Sequence, residues 1–349
     1  KNSSFLHKPF QQSLDSAIQL QNHRGPDRQA FYIDDNNNVG LAHARLSIQD
    51  LSDAGNQPML SSDERYTIVY NGEIYNFIEL RNELIDLGFS FYGYSDTEVL
   101  LAHITHHGIN KTLEKLIGMY AFALYDRQER SITLCRDRIG EKPLYYLCNE
   151  QGLFFSSELS SIRKNVNTDF MICGDALSLY FKHQYIPAPY SIYRNTKKLV
   201  AGEVVTFDID SLESTTGKYW SVKSTYENIH PICTLASKKE LKSLLIDSIQ
   251  KQLIADVDVG ILLSGGVDSS LIAAISKKEL GKNVETFTVG FSNLKYDESH
   301  SAKTIADYLG LKSHVEIIQD KDILELVKKI PFVYSEPFAD TSLLPTILI

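Results

Sequence analysis

The stretch Ser264-Gly265-Gly266-Val267-Asp268-Ser269-Ser270 decides how the second half of the chain folds. It follows an apolar run, residues 257–263, and precedes a helical pattern of apolar residues. This order predicts a strand, a tight glycine turn and the N-terminus of a helix. Glycines let backbone N–H groups approach a ligand, and at the positive end of a helix those groups attract anions. Asp268 adds a carboxylate suited to Mg²⁺.

This loop is not a Walker A loop, because it lacks the lysine that reaches a γ-phosphate. An ordinary strand-to-helix turn capped by serines is the alternative interpretation. The complete stretch after a predicted buried strand favours a ligand site. It resembles the pyrophosphate-binding loop of enzymes that adenylate a substrate and release pyrophosphate.

Strands and helices alternate around this loop. The patterns predict strands at residues 257–263, 284–291 and 314–318, and helices at 269–280, 301–309 and 321–330. This βαβαβα order predicts a parallel, doubly wound sheet with right-handed crossovers. Ligands of such sheets bind at the carboxyl ends of the strands, where the glycine loop falls.

The first half of the chain has a different pattern. Short strands are predicted at residues 120–125, 131–135 and 153–156, and helices at 77–87 and 97–107, the second capped by Ser95 or Asp96. Antiparallel strands grouped with helices predict a layered α+β domain.

Several polar residues of this half interrupt apolar patterns: Arg45, Asn71, Gly72, Glu73 and Asp96. Each has an ordinary interpretation, since Asn-Gly is a strong hairpin signal, an aspartate often caps a helix, and a strand arginine is usually solvated. Together they suit a free amino acid. Its carboxylate prefers a guanidinium, its ammonium prefers carboxylates, and an amide under attack needs an oxyanion hole.

Composition excludes some classes of function. The net charge of −9 argues against a nucleic-acid or anionic-membrane surface, which would need clustered Lys and Arg. No apolar run approaches the roughly 20 residues that span a bilayer. The four cysteines have no CxxC spacing, which predicts reduced thiols in a cytoplasmic protein rather than disulfides or a zinc site.

The motifs occur in the order of a known family. They are HRGPD, ARLSIQDLS, Gln57-Pro58-Met59, NGEIYN, SDTEVLL, Gly118-Met119-Tyr120-Ala121-Phe122-Ala123, Arg136-Asp137-Arg138, Lys142-Pro143-Leu144-Tyr145-Tyr146 and SGGVDSS. Over nearly its whole length the chain resembles the glutamine-hydrolysing asparagine synthetases, which join a class-II glutamine amidotransferase to an ATP-pyrophosphatase.

The resemblance implies two domains. Residues 1–215 would form an N-terminal-nucleophile αββα glutaminase domain, and residues 216–349 an α/β parallel-sheet ATP-pyrophosphatase domain of the adenine nucleotide alpha hydrolase type. In the first domain, Arg45 would bind the carboxylate of glutamine beside Ile48 and Gln49. Asn71 and Gly72 would form the oxyanion hole, and Glu73 and Asp96 would bind the α-amino group.

In the second domain the resemblance implies ATP with Mg²⁺. The glycine loop would bind the pyrophosphate through Ser264, Gly265, Gly266 and Ser269. Asp268 of the same loop would bind Mg²⁺. Adenine would lie against the backbone of Leu262 and Val289. Glutamine, ATP and aspartate would be the substrates, and homodimers are common in the family.

The sequence departs from the family at both ends. It begins Lys1-Asn2-Ser3-Ser4 without the N-terminal cysteine nucleophile, and it stops before the family's Ser-Gly-x-Gly-x-Asp-Glu motif. We expect that the printed chain starts late and that its synthetase domain is incomplete. Three alternatives remain: an amidotransferase for another carboxylate, a β-lactam-synthetase-like enzyme without glutaminase activity, and a scaffold that binds ligands without turnover.

Overall fold

Antiparallel sheets in the first half of the chain and a parallel sheet in the second distinguish two parts of the molecule. The structure, a computed structural model, describes residues 4–227, 235–293 and 297–348. The chain divides into a first unit, residues 1–229 with 335–338, and a second unit, residues 230–334 with 339–349.

The first unit is built from short antiparallel strands. They are β1 (Arg28–Asp34), β2 (Val39–Arg45), β3 (Met59–Leu60), β4 (Tyr66–Ile74), β5 (Gly118–Asp126), β6 (Ser131–Arg136), β7 (Tyr145–Asn149), β8 (Gly152–Ser156), β9 (Lys197–Lys198), β10 (Glu203–Asp208) and β11 (Ser214–Lys218). They form a six-stranded sheet of order β11-β10-β6-β5-β4-β3, a three-stranded sheet of order β8-β7-β9, and the β1-β2 pair.

Helices lie outside these sheets. They are α1 (Ser4–Leu20), α2 (Phe77–Asp86), α3 (Asp96–His107), α4 (Ile109–Lys115), α5 (Leu159–Asn165), α6 (Gly174–His183) and α7 (Val222–Tyr226), with a 3-10 turn at Asp53–Gly55. Helix α1 contacts β2 and α5, α5 contacts β7 and β8, and α3 contacts β4 and α2. Both helices predicted in this half are confirmed, and Ser95 rather than Asp96 caps α3.

The main core lies between the sheets. Its buried side chains come from β2 on one side and from β4, β5, β6 and β10 on the other: Val39, Leu41, Val69, Ala121, Ala123, Tyr125, Ile132, Leu134, Val205 and Phe207. Tyr146 of β7 and Phe155 of β8 pack against this cluster. The layers therefore run helix, sheet, sheet, helix, which confirms the expected αββα architecture.

The Asn71-Gly72 pair does not form a turn, so its hairpin interpretation is wrong. Both residues lie within the continuous strand β4, where Asn71 faces Ala121 of β5 and Gly72 faces Tyr120. Pairing along nine residues of β5 outweighs the local preference of Asn-Gly for a turn.

The second unit contains a parallel sheet of order β12-β13-β14. Its elements are α8 (Leu235–Gln252), β12 (Gly260–Leu262), α9 (Val267–Ala274) followed by a π-helical turn (Ile275–Glu279), β13 (Glu285–Phe291), α10 (Ser299–Leu309), β14 (Ser313–Ile318), α11 (Asp320–Val333) and α12 (Leu343–Leu348). The alternating order and the parallel pairing are confirmed. A doubly wound sheet has helices on both of its faces. Helices α9 and α10 contribute side chains to the same core cluster as β12, so the doubly wound arrangement stays a prediction.

Membrane-spanning helices are absent from the portion that the structure describes, since none of its helices combines the required length and apolarity.

A buried carboxylate, that of Asp137, organises the turn that follows β6. Its side chain is fully buried and accepts hydrogen bonds from five backbone N–H groups. The donors are Tyr120 (3.2 Å), Ile139 (3.1 Å), Gly140 (2.6 Å), Glu141 (2.9 Å) and Lys142 (3.0 Å). One side chain therefore fixes the path of residues 137–142 against β5.

We predict that Asp137→Ala lowers the free energy of unfolding of the first unit by about 3 kcal/mol or more, because buried donors to a charged group lose their acceptor. Urea denaturation measures this loss. The matched control is Asp208→Ala, which removes an exposed aspartate that also accepts from two backbone N–H groups. Equal losses for the two variants would contradict the role assigned to Asp137.

Candidate active site

A single cavity of about 950 Å³ in the first unit gathers all the residues that the sequence assigns to glutamine. They are Arg45, Ile48, Gln49, Asn71, Gly72, Glu73 and Asp96. The cavity continues between α1, β2, α5 and β8, whose side chains also line it. Residues up to 51 positions apart in sequence therefore share one site.

Strand β4 positions three of these residues. Because side chains alternate along a strand, Asn71 and Glu73 lie on the same face, with Gly72 between them. The amide Nδ2 of Asn71 donates to Ser157 Oγ at 3.3 Å. A Cβ on Gly72 would lie 2.3 Å from the carbonyl oxygen of Met119 on β5, so only glycine fits here.

Asp96 enters the same site from the first turn of α3. Its carboxylate is 5% exposed and accepts from the backbone N–H of Ile74 at 2.8 Å and from the hydroxyl of Tyr70 at 2.7 Å. Both donors belong to β4, so the helix is held against the strand that carries Glu73.

The two carboxylates influence each other. Burial and, to a smaller extent, the charge of Asp96 raise the pKa of Glu73 to about 8, against an opposing effect of Lys142. Burial also raises the pKa of Asp96, although the hydrogen bonds from Ile74 and Tyr70 favour its ionised form. We infer that Asp96 keeps its charge and that Glu73 holds the proton. A cation entering between them would allow both to ionise.

Arg45 ends β2 and is 7% exposed, so its interpretation as a solvated strand residue is wrong. Its guanidinium holds the following loop by four hydrogen bonds to oxygen atoms. The acceptors are the carbonyl of Ser52 (2.9 Å), Oδ1 of Asn56 (2.8 Å), the carbonyl of Gln49 (3.4 Å) and the carbonyl of Asp50. Burial lowers the pKa of Arg45, and the charges of Asp50, Asp27 and Asp53 oppose this shift only in part. Contact with a substrate carboxylate stays a prediction.

The loop after β2 contributes Ile48 and Gln49. The side-chain carbonyl Oε1 of Gln49 is buried, and no residue within the described ranges donates to it. A buried acceptor without a donor is costly, so a ligand N–H at this place would be stabilising. Gly55 permits the close approach of Arg45, since a Cβ there would lie 2.2 Å from Nη2.

Two further residues of this cavity were not predicted as site residues. Lys142 lines it, and burial lowers the pKa of its ammonium group. His43 also lines it, and its Nε2 hydrogen bonds the carbonyl of Tyr70 at 3.0 Å. Burial lowers the pKa of His43 to about 4, so it is neutral near pH 7. Lys142 begins a motif that carries the family resemblance, which is the signal that could have identified it, whereas His43 directly precedes such a motif.

The glycine loop of the second unit lies between β12 and α9. Gly265 has φ of +81°, and a Cβ there would lie 2.9 Å from Cβ of Ser301 on α10. The Ser264 and Ser269 hydroxyls are 3.1 Å apart, and the Gly266 N–H donates to Ser264 Oγ at 3.3 Å. These contacts hold an exposed turn that begins a helix, as the sequence predicts.

The other residues assigned to a nucleotide lie around this turn. Asp268 occupies the first turn of α9 with an exposed side chain. Leu262 is the last residue of β12, and Val289 lies on the neighbouring strand β13, two residues past the partner of Leu262. The structure therefore brings these residues to the carboxyl edge of the parallel sheet. Whether they hold ATP stays a prediction.

Comparisons with known proteins divide the chain in a similar way. A family model described as a glutamine amidotransferase domain matches residues 4–220, and one described as asparagine synthase matches residues 240–349. Putative asparagine synthetase [glutamine-hydrolyzing] 2 of Methanocaldococcus jannaschii is 38% identical over 93% of this chain and 65% of its own length.

Two bacterial relatives are similar over comparable stretches. Asparagine synthetase [glutamine-hydrolyzing] 1 of Bacillus subtilis is 36% identical over 93% of this chain and 50% of its own length. Asparagine synthetase B [glutamine-hydrolyzing] of Escherichia coli is 33% identical over 84% of this chain and 49% of its own length. The chain thus spans from about half to just under two thirds of these relatives.

The raised pKa of Glu73 predicts a pH-dependent stability. A carboxyl whose pKa rises from about 4.5 to about 8 on folding stabilises the fold fully below pH 4.5, and this stabilisation is lost as the pH rises through 8. We expect Glu73→Gln to match the parent protein at pH 5 and to exceed its free energy of unfolding by roughly 1 to 3 kcal/mol at pH 8.5.

Urea denaturation at both pH values measures the difference. Glu213→Gln, on an exposed segment, is the control and should behave alike at the two pH values. If the difference in free energy of unfolding between Glu73→Gln and the parent protein is the same at pH 5 and pH 8.5, Glu73 has an ordinary pKa.

Proposed function

Because the chain belongs to the family of glutamine amidotransferase domains, which matches residues 4–220, we propose that its first unit binds free glutamine and releases the amide nitrogen as ammonia. The observation that carries this proposal is the convergence of a guanidinium, two carboxylates and an amide on one cavity. An amino-acid zwitterion with an amide side chain complements these groups.

Each end of glutamine has a partner in the proposal. Glu73 and Asp96 bind the ammonium group, which supplies the cation that lets both carboxylates ionise. Arg45 binds the α-carboxylate with the guanidinium N–H that its four loop contacts leave available. Ile48 and Gln49 form the wall beside it.

Asn71 and Gly72 stabilise the developing oxyanion. The Nδ2 group of Asn71 has two N–H bonds, of which one is donated to Ser157, so the other is available to substrate. A nucleophile attacks the amide carbon, the C–N bond breaks, and ammonia leaves with a proton from the catalytic base. Water then hydrolyses the acyl-enzyme to glutamate.

The nucleophile in this scheme is the N-terminal cysteine that the family resemblance implies. The cysteines of the described residues do not fill that role, since Cys135, Cys148 and Cys173 do not line the cavity. Burial also raises the pKa of the Cys135 thiol, which disfavours the reactive thiolate.

For the whole protein, we predict that Asn71→Ala lowers kcat for glutamine hydrolysis by about 10² to 10³ and changes KM little, because an oxyanion donor acts in the transition state. Steady-state glutamate release measures both constants. Asn110→Ala, an exposed position on α4, is the matched control. A large change in KM with unchanged kcat would assign Asn71 to substrate binding instead.

We further propose that the second unit contributes to an ATP site for activating a carboxylate, most simply that of aspartate. The carboxylate attacks the α-phosphorus of ATP, giving an acyl-adenylate and pyrophosphate. Ammonia attacks the acyl carbon, and AMP leaves to give asparagine. Adenylation turns a poor leaving group into a good one, which ammonia alone could not displace.

The glycine loop fits such a ligand. Its exposed N–H groups at the start of α9, with the Ser264 and Ser269 hydroxyls, suit pyrophosphate oxygens. Gly265 and Gly266 add no side chain that would block a phosphate. The exposed Asp268 would hold Mg²⁺ there, and the backbone at Leu262 and Val289 would contact adenine.

We predict that Asp268→Ala in the whole protein abolishes ATP-dependent AMP formation and spares glutamine hydrolysis, because the changed residue belongs only to the nucleotide half. Parallel assays of AMP and glutamate test this. Asp258→Ala, an exposed aspartate just before β12, is the control. Loss of glutaminase activity with normal AMP formation would refute the assignment.

A further inference from the structure

A cluster of three metal-binding side chains lies on the outer helices of the first unit, and the proposed reactions do not use it. His103 and His107 lie four residues apart on α3, so they share one face of the helix. Glu83 faces them from α2. Their ligand atoms all lie within 4.8 Å of one another, and Glu83 Oε1 is 3.5 Å from His107 Nε2.

Hydrogen bonding fixes the tautomer of His103. The Thr112 hydroxyl donates its proton to the carbonyl of Gly108 at 2.9 Å. Its 2.9 Å contact with His103 Nδ1 therefore requires the ring nitrogen to donate. In a neutral imidazole with a proton on Nδ1, the lone pair is on Nε2. Metal-binding histidines are commonly oriented by such a second hydrogen bond.

The lone pair of His103 has no donor in its surroundings. His103 is fully buried, and its Nε2 finds no hydrogen-bond partner among residues 4–227, 235–293 and 297–348. The same holds for Nε2 of His107, a half-buried residue. Each histidine thus has a buried ring nitrogen without a hydrogen-bond partner in the described part of the chain, and each offers a ring nitrogen within 4.8 Å of a carboxylate oxygen of Glu83. An ion that accepts two lone pairs and a negative charge would satisfy all three groups.

We propose that Glu83, His103 and His107 bind a divalent first-row transition-metal ion, with Zn²⁺ the best fit to two nitrogens and one oxygen. Tetrahedral zinc with bonds of about 2.0 to 2.1 Å places its ligand atoms about 3.3 Å apart. The Glu83–His107 pair, at 3.5 Å, is already near this separation, and all three ligand atoms lie within 4.8 Å of one another. Solvent can provide the fourth ligand, because the Glu83 side chain is 37% exposed.

Lys115 competes for the same carboxylate. Its Nζ donates to Glu83 Oε1, so an ammonium group now neutralises the oxygen that a metal would bind. The Lys115 side chain is 45% exposed and can move into solvent. Metal binding would then link α2 to α3, the helix whose first residue is Asp96.

The test uses the full chain without a histidine tag, stripped with EDTA and titrated with Zn²⁺ by calorimetry and with Co²⁺ by visible absorption. We expect one ion per chain and the d–d band of four-coordinate Co²⁺. At a hundredfold excess over the dissociation constant, Zn²⁺ should raise the unfolding midpoint of the first unit by about 5 °C. His103→Gln, His107→Gln and Glu83→Gln should each weaken binding roughly tenfold or more.

Two matched controls distinguish this site from adventitious chelation. His106→Gln changes an exposed neighbour on α3 and should leave the affinity unchanged. Lys115→Met should tighten Zn²⁺ binding several-fold by releasing Glu83, whereas Lys111→Met removes a charge that acts on His107 and should have a smaller effect. No bound ion in the parent chain, or binding that depends on His106 and not on His103, would overturn the proposal.

Discussion

The carboxylate of Asp96 is the contact on which the proposed glutamine site depends. It accepts from Ile74 N–H and from the Tyr70 hydroxyl, and so attaches the first turn of α3 to β4. Strand β4 is in turn held by β5 along its whole length. The relative positions of Asn71, Glu73 and Asp96 therefore follow from backbone pairing and two buried hydrogen bonds. A site fixed in this way needs little reorganisation when charge develops during a reaction.

Much of the fold could be predicted because its signals are local and periodic. The helices around Leu80 and Leu100, and the βαβαβα order after residue 257, repeat apolar residues at spacings that the structure confirms within a few positions. Asn71-Gly72 and Arg45 were harder, since their conformation and burial follow from strand pairing and from a loop that closes over a guanidinium. Neither the strand pairing nor the loop closure can be predicted from the residues next to these positions in the sequence.

The sites show a similar limit. The residues of the cavity could be named because they belong to motifs, while their roles and the domain boundary at residue 215 stay predictions. The Glu83, His103 and His107 cluster carries no motif of its own, since Glu83 lies 20 positions before His103 on a different helix. Only helix packing brings them together, and only the hydrogen bonds of Thr112 show which ring nitrogen carries the lone pair.

The charges of the cavity favour a zwitterion over a peptide. A glutamine residue within a chain has neither the ammonium group that Glu73 and Asp96 require nor the carboxylate that suits Arg45. Without a cation, burial and the charge of Asp96 raise the pKa of Glu73 to about 8 and so favour its protonated form. Binding a free amino acid would remove that repulsion, expel the proton and satisfy the guanidinium together. An uncharged ligand of similar size would leave all three costs in place, so the selectivity for free glutamine that we propose would follow from the same charges that raise the pKa of Glu73.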